Sequence, residues 1–229
     1  VCSSDLITAS SIDNGSSDAC GIASMTASNT SFDCSNVGAN TVVLTVTDNN
    51  GNTATCASTV TVEDHVAPSV TAPANVTVNA DAGSCEATNV SIGSATTSDN
   101  CSVASTVNNH ASTTYPLGST TVLWTVTDVN GNTATATQTV TVLDNQQPSL
   151  TVASNISVNN DSNACSASVA IPNATFSDNC TGSVLSYAMS GSTTLSGSGQ
   201  VGTATFNVGT TTITYTVTDG SGNTTTATM

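Results

Sequence analysis

The sequence predicts an all-β chain of tandem small sheet domains, and two repeated markers carry that prediction. The first is a stretch written three times: TVTDNNGNTAT from Thr45, TVTDVNGNTAT from Thr125 and TVTDGSGNTTT from Thr216. Ahead of each Asp, apolar residues fall on alternate positions: Val42, Leu44, Val46; Val122, Trp124, Val126; Ile213, Tyr215, Val217. That is the period of a half-buried strand. The D-x-x-G-N connection suits a tight hairpin, since Gly accepts a positive φ and Asp or Asn side chains bond the turn backbone. The second marker is Asp18-Ala19-Cys20, answered by Asp99-Asn100-Cys101 and Asp178-Asn179-Cys180. Asp48, Asp128 and Asp219 lie 80 and 91 residues apart. So long a period marks separate domains rather than a solenoid. Beads on a string are expected: 1–64, 65–145 and 146–229.

Val1-Cys2-Ser3-Ser4-Asp5-Leu6 fits no part of the repeat. It also corresponds to the translated end of a common short-read sequencing adapter. The native sequence is therefore expected to begin near Ile7, with Cys2 an artefact; a divergent natural start is the alternative. The spacing before Cys20 leaves no room for domain one's first strand. After the hairpin the inward positions read Ala54, Cys56, Ser58, Val60, Val62 in domain one and Ala134, Ala136, Gln138, Val140, Val142 in domain two. Linkers follow at Glu63-Asp64-His65-Val66-Ala67-Pro68 and Leu143-Asp144-Asn145-Gln146-Gln147-Pro148. Their Pro ends the ladder and stiffens the joint. First strands are expected at 75–78 and 155–158, turns at 80–83 and 160–163, and second strands after Cys85 and Cys165. Domain three adds a Gly/Ser-rich stretch, 191–202, read as an exposed loop, and lacks the closing Thr-Val-Thr-Val of the other two.

The chain holds no Lys or Arg against 15 acids, a formal charge of −15. It cannot neutralise phosphates, and an anionic membrane surface would repel it, so nucleic acid and membrane insertion are excluded as partners. Only 7% of residues are charged, so the surface is Ser, Thr and Asn rather than an acidic coat.

In order along the chain stand PSVTAPANVTV from Pro68, Ser98-Asp99-Asn100-Cys101, PLGSTTV from Pro116, Thr127-Asp128-Val129-Asn130-Gly131-Asn132, and TVTVLD before the next domain. With these pieces the chain resembles tandem hyalin repeats, the HYR family, over about 7–229. The resemblance implies an immunoglobulin-like β-sandwich in extracellular multidomain proteins with an adhesive role. The Thr-rich style resembles versions in long secreted or surface proteins of Bacteroidetes-type bacteria. No catalytic residues carry over from the family.

Eight Cys without a CxxC pair or a Cys/His cluster read as disulfides of an oxidising compartment. If bonding stays within a domain, Cys85–Cys101 and Cys165–Cys180 follow, each closing a loop of about 15 residues worth on the order of 3 kcal/mol. In domain one Cys20 is paired with Cys34. Family members often carry a Cys aligned with Ala72, which would be the partner of Cys56; here Cys56 is free or bonded to Cys2. The rival pairing is Cys2–Cys20 with Cys34–Cys56.

His65 and His110 have no nucleophile at a telling spacing, so no enzyme is expected. Trp124 and Tyr215 share an inward position and read as core. Hard oxygen donors for Ca²⁺ are plentiful, with no cationic side chain to compete. The better candidates are the linker residues Glu63, Asp64, Asp144 and Asn145, where an ion would relieve repulsion. The hairpin residues Asp48, Asn50, Asp128, Asn130 and Asp219 are explained by turn chemistry alone. The leading function is a rigid extracellular stalk or filament whose partners are neighbouring repeats, with surface glycans or proteins beyond them. The rival is a carbohydrate- or ligand-binding accessory module of a secreted enzyme. Ice binding through Thr rows is disfavoured, since no short-period flat array is present.

Overall fold

The computed structural model describes residues 5–229; Cys2, and every pairing drawn to it, lies outside them. Among the described residues the chain is all-β, with two short 3-10 turns and no α-helix. The strands form tandem β-sandwich domains, as the alternating Val, Ile and Thr residues dictate. By contacts the chain divides into two compact units, and both cut across the repeats read from sequence.

Of the described residues, the first unit comprises 5–73, Gly93–Asn109 and Leu123–Gln138. Its largest sheet is antiparallel, in the order Ile22–Ala27, Gly38–Asp48, Thr53–Val62. The hairpin register runs from Gly38 opposite Val62 to Thr47 opposite Thr53. Asp5–Leu6 pairs with Ser31–Phe32, and Ser69–Thr71 with Thr96–Ser98. Buried in this unit are Phe32, Val42 and Leu44, and also Trp124, Val126 and Gln138, whose amide oxygen accepts the Trp124 Nε1–H at 3.1 Å. The inward ladder of domain one holds only in its second half. Ser58, Val60 and Val62 are half-buried, whereas Ala54 and Cys56 are exposed.

A register shift interrupts Ile22–Ala27 between Ile22 and Ser24, against Asp48 and Thr47. The same shift recurs between Val103 and Ser105, against Asp128 and Thr127. A bulge of this kind twists its strand and re-aims the chain beside it. In both places it stands where the Asp-x-Cys segment meets the hairpin Asp.

The second unit comprises Ala74–Ile92, His110–Val122 and Thr139–Met229. Val76–Asn79 runs parallel to residues 140–143, and Glu86–Ala87 pairs with Tyr115–Pro116. A four-stranded antiparallel sheet follows in the order Leu195–Ser198, Val184–Gly191, Thr211–Thr218, Thr224–Thr228. Its inner face packs Leu185, Met189, Ile213, Tyr215 and Val217 against Ile171 and Ala174.

Two expectations are corrected here. Residues 191–202 are not simply a loop: Leu195–Ser198 adds an edge strand, with Tyr187 opposite Gly197. Residues 155–158 form no strand, because no strand lies beside them as residues 140–143 lie beside Val76–Asn79.

Candidate functional site

Each hairpin turn is closed by its own Asp. Asp128 Oδ1 accepts from the Asn130 and Asn132 N–H groups at 2.8 Å each, and Oδ2 accepts from Asn132 Nδ2 at 2.7 Å. Asp48 and Asp219 repeat the pattern with Asn50 and Asn52, and with Ser221 and Asn223. Gly131 takes φ +94°, which L side chains rarely adopt. Burial pushes the Asp128 and Asp219 carboxyls up, but the Asn bonds pull both below the usual carboxylate value. At Asp48 the Asn52 amide is the main cause of the same lowering. Turn chemistry therefore accounts for these acids.

The turn's last Asn also reaches outward. Asn132 Nδ2 donates to the Asp64 carbonyl at 3.0 Å, and Asn223 Nδ2 to the Asp144 carbonyl at 3.0 Å. Linker and hairpin are thereby joined twice over by the same residue type.

The Asp-Asn-Cys segment completes each arrangement. In the first unit, Asp64 Oδ1 accepts from Val66 N–H and Asn100 Nδ2, while Asp99 Oδ2 accepts from the Cys101 and Ser102 N–H groups. One oxygen each of Asp64, Asp99 and Asp128 lies within 4.8 Å of the others. Asp64 Oδ2 and Asp99 Oδ1 are buried and accept no hydrogen bond. A cleft of about 410 Å³ opens here, lined in part by Phe32, Cys34, Asp64, Asp99 and Asn100. In the second unit, Asp144 Oδ1 accepts from Gln146 N–H and Asn179 Nδ2, and Asp178 Oδ2 from Cys180 N–H. Asp144 Oδ2, Asp178 Oδ1 and Asn179 Oδ1 are buried without a partner. Carboxylates at such spacing repel by roughly 3–4 kcal/mol per pair at an effective dielectric of about 20, and the chain has no Lys or Arg to offset it.

Of the linker residues singled out by sequence, Asp64 and Asp144 join these clusters and the other two do not. Glu63 Oε2 instead accepts from the exposed His65 Nε2–H at 2.9 Å, and Asn145 Nδ2 donates to Asn79 Oδ1. The residues missed were Asp99, Asp178 and Asn179. Their signal was present in the thrice-written Asp-x-Cys, which marked the repeats without being weighed as a donor set.

The within-domain disulfides are also corrected. Cys34 bonds Cys101 and Cys85 bonds Cys180, with Cα atoms 5.0 and 5.2 Å apart. Cys20, Cys56 and Cys165 are exposed and free, so Cys20–Cys34, Cys34–Cys56, Cys85–Cys101 and Cys165–Cys180 do not form. The physical reason lies in how the Asp-Asn-Cys segment is held. Asn179 Nδ2 donates to the Ser84 carbonyl at 2.8 Å as well as to Asp144, which sets Cys180 against Cys85 of the preceding repeat. Asn100 is bonded to Asp64, and Cys101 beside it meets Cys34.

A groove of about 790 Å³ is lined by residues such as Ile156, Val158, Phe206, Thr212 and Met229, and no acid, His or Cys lines it. His110 Nδ1–H donates to the Ser112 carbonyl at 2.8 Å, and the ring stacks on Tyr115 at 4.2 Å. Neither place assembles a nucleophile with a base.

Residues 63–142 match the HYR domain family and residues 145–229 the Bacterial Ig domain family. No curated protein matches the chain. Among solved structures, the chain is similar to extracellular cadherin domains 1–4 of protocadherin gamma B7, at 10% identity and TM-score 0.40, covering 91% of this chain and 66% of that one. It is also similar to the protocadherin gamma B4 extracellular domain (13%, TM-score 0.39, 93% and 41%). A third is the human desmocollin-1 ectodomain (10%, TM-score 0.25, 82% and 43%). The chain spans less than two thirds of each. Residues 63–229 are thus similar first to a HYR domain and then to a bacterial Ig domain, one match following the other along the chain.

Proposed function

We propose that this chain is a structural and adhesive segment of a bacterial surface or secreted protein, a stalk whose first partners are its own neighbouring repeats. The observation that carries the reading is the interleaving of its disulfides. Cys85 precedes Cys101 in sequence, so Cys34–Cys101 and Cys85–Cys180 overlap along the chain. Tension applied at the ends then runs through both disulfides and only the short stretch between Cys85 and Cys101, not through the whole chain from Cys34 to Cys180. Disulfides also suit an extracellular compartment, and no helix among the described residues is long and apolar enough to cross a membrane. Calcium at the acidic linkers would stiffen the joints further.

The rival, a carbohydrate-binding accessory module, calls for an exposed aromatic platform. Trp124, Tyr115 and Tyr215 are all buried, and Phe176 stands exposed on its strand. The test is single-molecule pulling from the two termini. Reduction is expected to release on the order of 450 Å of additional extensible chain. Equal extension before and after reduction overturns the stalk reading.

A further inference from the structure

We propose that the chain carries two calcium sites built on matching residues, one on Asp64 and Asp99 beside the hairpin Asp128 and the other on Asp144, Asp178 and Asn179. Clustered acids alone would not establish a site. The second observation is the set of buried oxygens left without a donor. Asp144 is 5% exposed, its Oδ2 accepts no hydrogen bond, and one of its oxygens lies within 4.8 Å of an Asp178 oxygen. Asp178 Oδ1 and Asn179 Oδ1 are buried and equally unpartnered. The other oxygen of each carboxylate is bonded to backbone or side-chain N–H, so the side chains are held in place with one acceptor to spare. The first unit repeats this with Asp64 Oδ2 and Asp99 Oδ1.

A buried acceptor without a donor is costly, and a buried carboxylate more so. The deficit recurs at matching residues in both places, which a chance defect would not do. Oxygen-only donors of mixed carboxylate and amide type select a hard cation, and an irregular set completed by water suits Ca²⁺ better than the strict octahedron of Mg²⁺. Cys180, though close to Asp144 and Asp178, is committed to its disulfide and is not a donor. Each ion would tie the linker carboxylate to the Asp-Asn-Cys segment beside the disulfide. The mechanical value of the ions rests on the stalk reading; their binding does not.

The test is isothermal titration of calcium chloride into the chelator-stripped, oxidised chain. Two ions per chain are expected, with Kd of about 10⁻⁴–10⁻³ M, the range of extracellular modules. Asp64→Asn with Asp99→Asn should remove one ion and leave the other, and Asp144→Asn with Asp178→Asn the reverse. Asp161→Asn, which alters an acid outside both clusters, should leave two. The single variants Asp99→Asn and Asp178→Asn keep the residue's shape and should each weaken one site at least tenfold. No binding by the unaltered chain up to about 10 mM calcium, or a stoichiometry indifferent to these variants, overturns the proposal. The pulling experiment in the presence of chelator is unaffected by that outcome, so the two readings fail separately.

Discussion

Asn132 and Asn223 each serve two acceptors with one amide group, the Asp of their own turn and the carbonyl of a linker Asp. Removing that amide strands both. Asn223→Ala is expected to lower unfolding free energy by roughly 1–3 kcal/mol, read by chemical denaturation. The Asn52 side chain donates to its turn Asp and, unlike Asn132 and Asn223, holds no linker carbonyl among the described residues, so Asn52→Ala should cost less. The turn acids also give a pH signature. The Asp48 carboxyl is lowered in the folded chain, first by the Asn52 amide and then by backbone N–H groups. Its contribution is therefore present above the unfolded value, about 3.9, and is lost as pH falls through the lower folded value. Denaturation from pH 6 down to pH 2 should show Asp48→Asn losing less stability across that window than the unaltered chain. Tyr215 makes the opposite case: its hydroxyl is buried and unpartnered. Tyr215→Phe should be neutral or stabilising, since it removes a desolvated group without losing a bond; marked destabilisation would reveal a donor or acceptor at that hydroxyl.

At the scale of elements, what the sequence made legible was local. The hairpin at Gly38–Asp48 and Thr53–Val62 is written in its alternation and its Gly51 turn, all within one short window. The strand at Leu195–Ser198 was hidden because its Ser and Gly residues carry no alternation. It forms on the edge of Val184–Gly191 through tertiary pairing that overrides weak propensity. The corner that starts this addition is Gly191, at φ +102°, where an added Cβ would collide with the Thr210 carbonyl. Gly191→Ala should cost roughly 1–3 kcal/mol in a denaturation curve, and Gly199→Ala less, because nothing stands within 4 Å of its Cβ position. The acidic clusters were half legible for the same reason. Asp64 and Asp144 stood out beside a linker Pro, whereas Asp99 and Asp178 join them only through contacts between residues far apart in sequence. Disulfide partners were the least legible, since two Cys in each of the later repeats fit pairing within a repeat and pairing to a neighbour alike.

For the molecule as a whole, the pairing decides which thiols react and what each disulfide is worth. Alkylation of the native chain should label Cys20, Cys56 and Cys165, all exposed and free, and spare Cys34, Cys85, Cys101 and Cys180 until reduction. Peptide mapping should then recover Cys34 with Cys101 and Cys85 with Cys180. The two bonds span 67 and 95 residues. In the chain-entropy account the stabilisation grows only with the logarithm of loop length, so each is worth about 4–5 kcal/mol and the two differ by a few tenths. Loops of about 15 residues, as pairing within repeats would give, are worth on the order of 3 kcal/mol. Reaching across to the next repeat thus adds modestly to stability, while it makes two repeats share one covalent closure. Cys85→Ser with Cys180→Ser, and Cys34→Ser with Cys101→Ser, should lower stability by nearly equal amounts in chemical denaturation. Each double variant should also release its own linker, 143–148 or 63–68, to limited proteolysis while the other stays resistant. Cleavage of both linkers in either variant, or of neither, would show that the disulfides are not what ties successive repeats together.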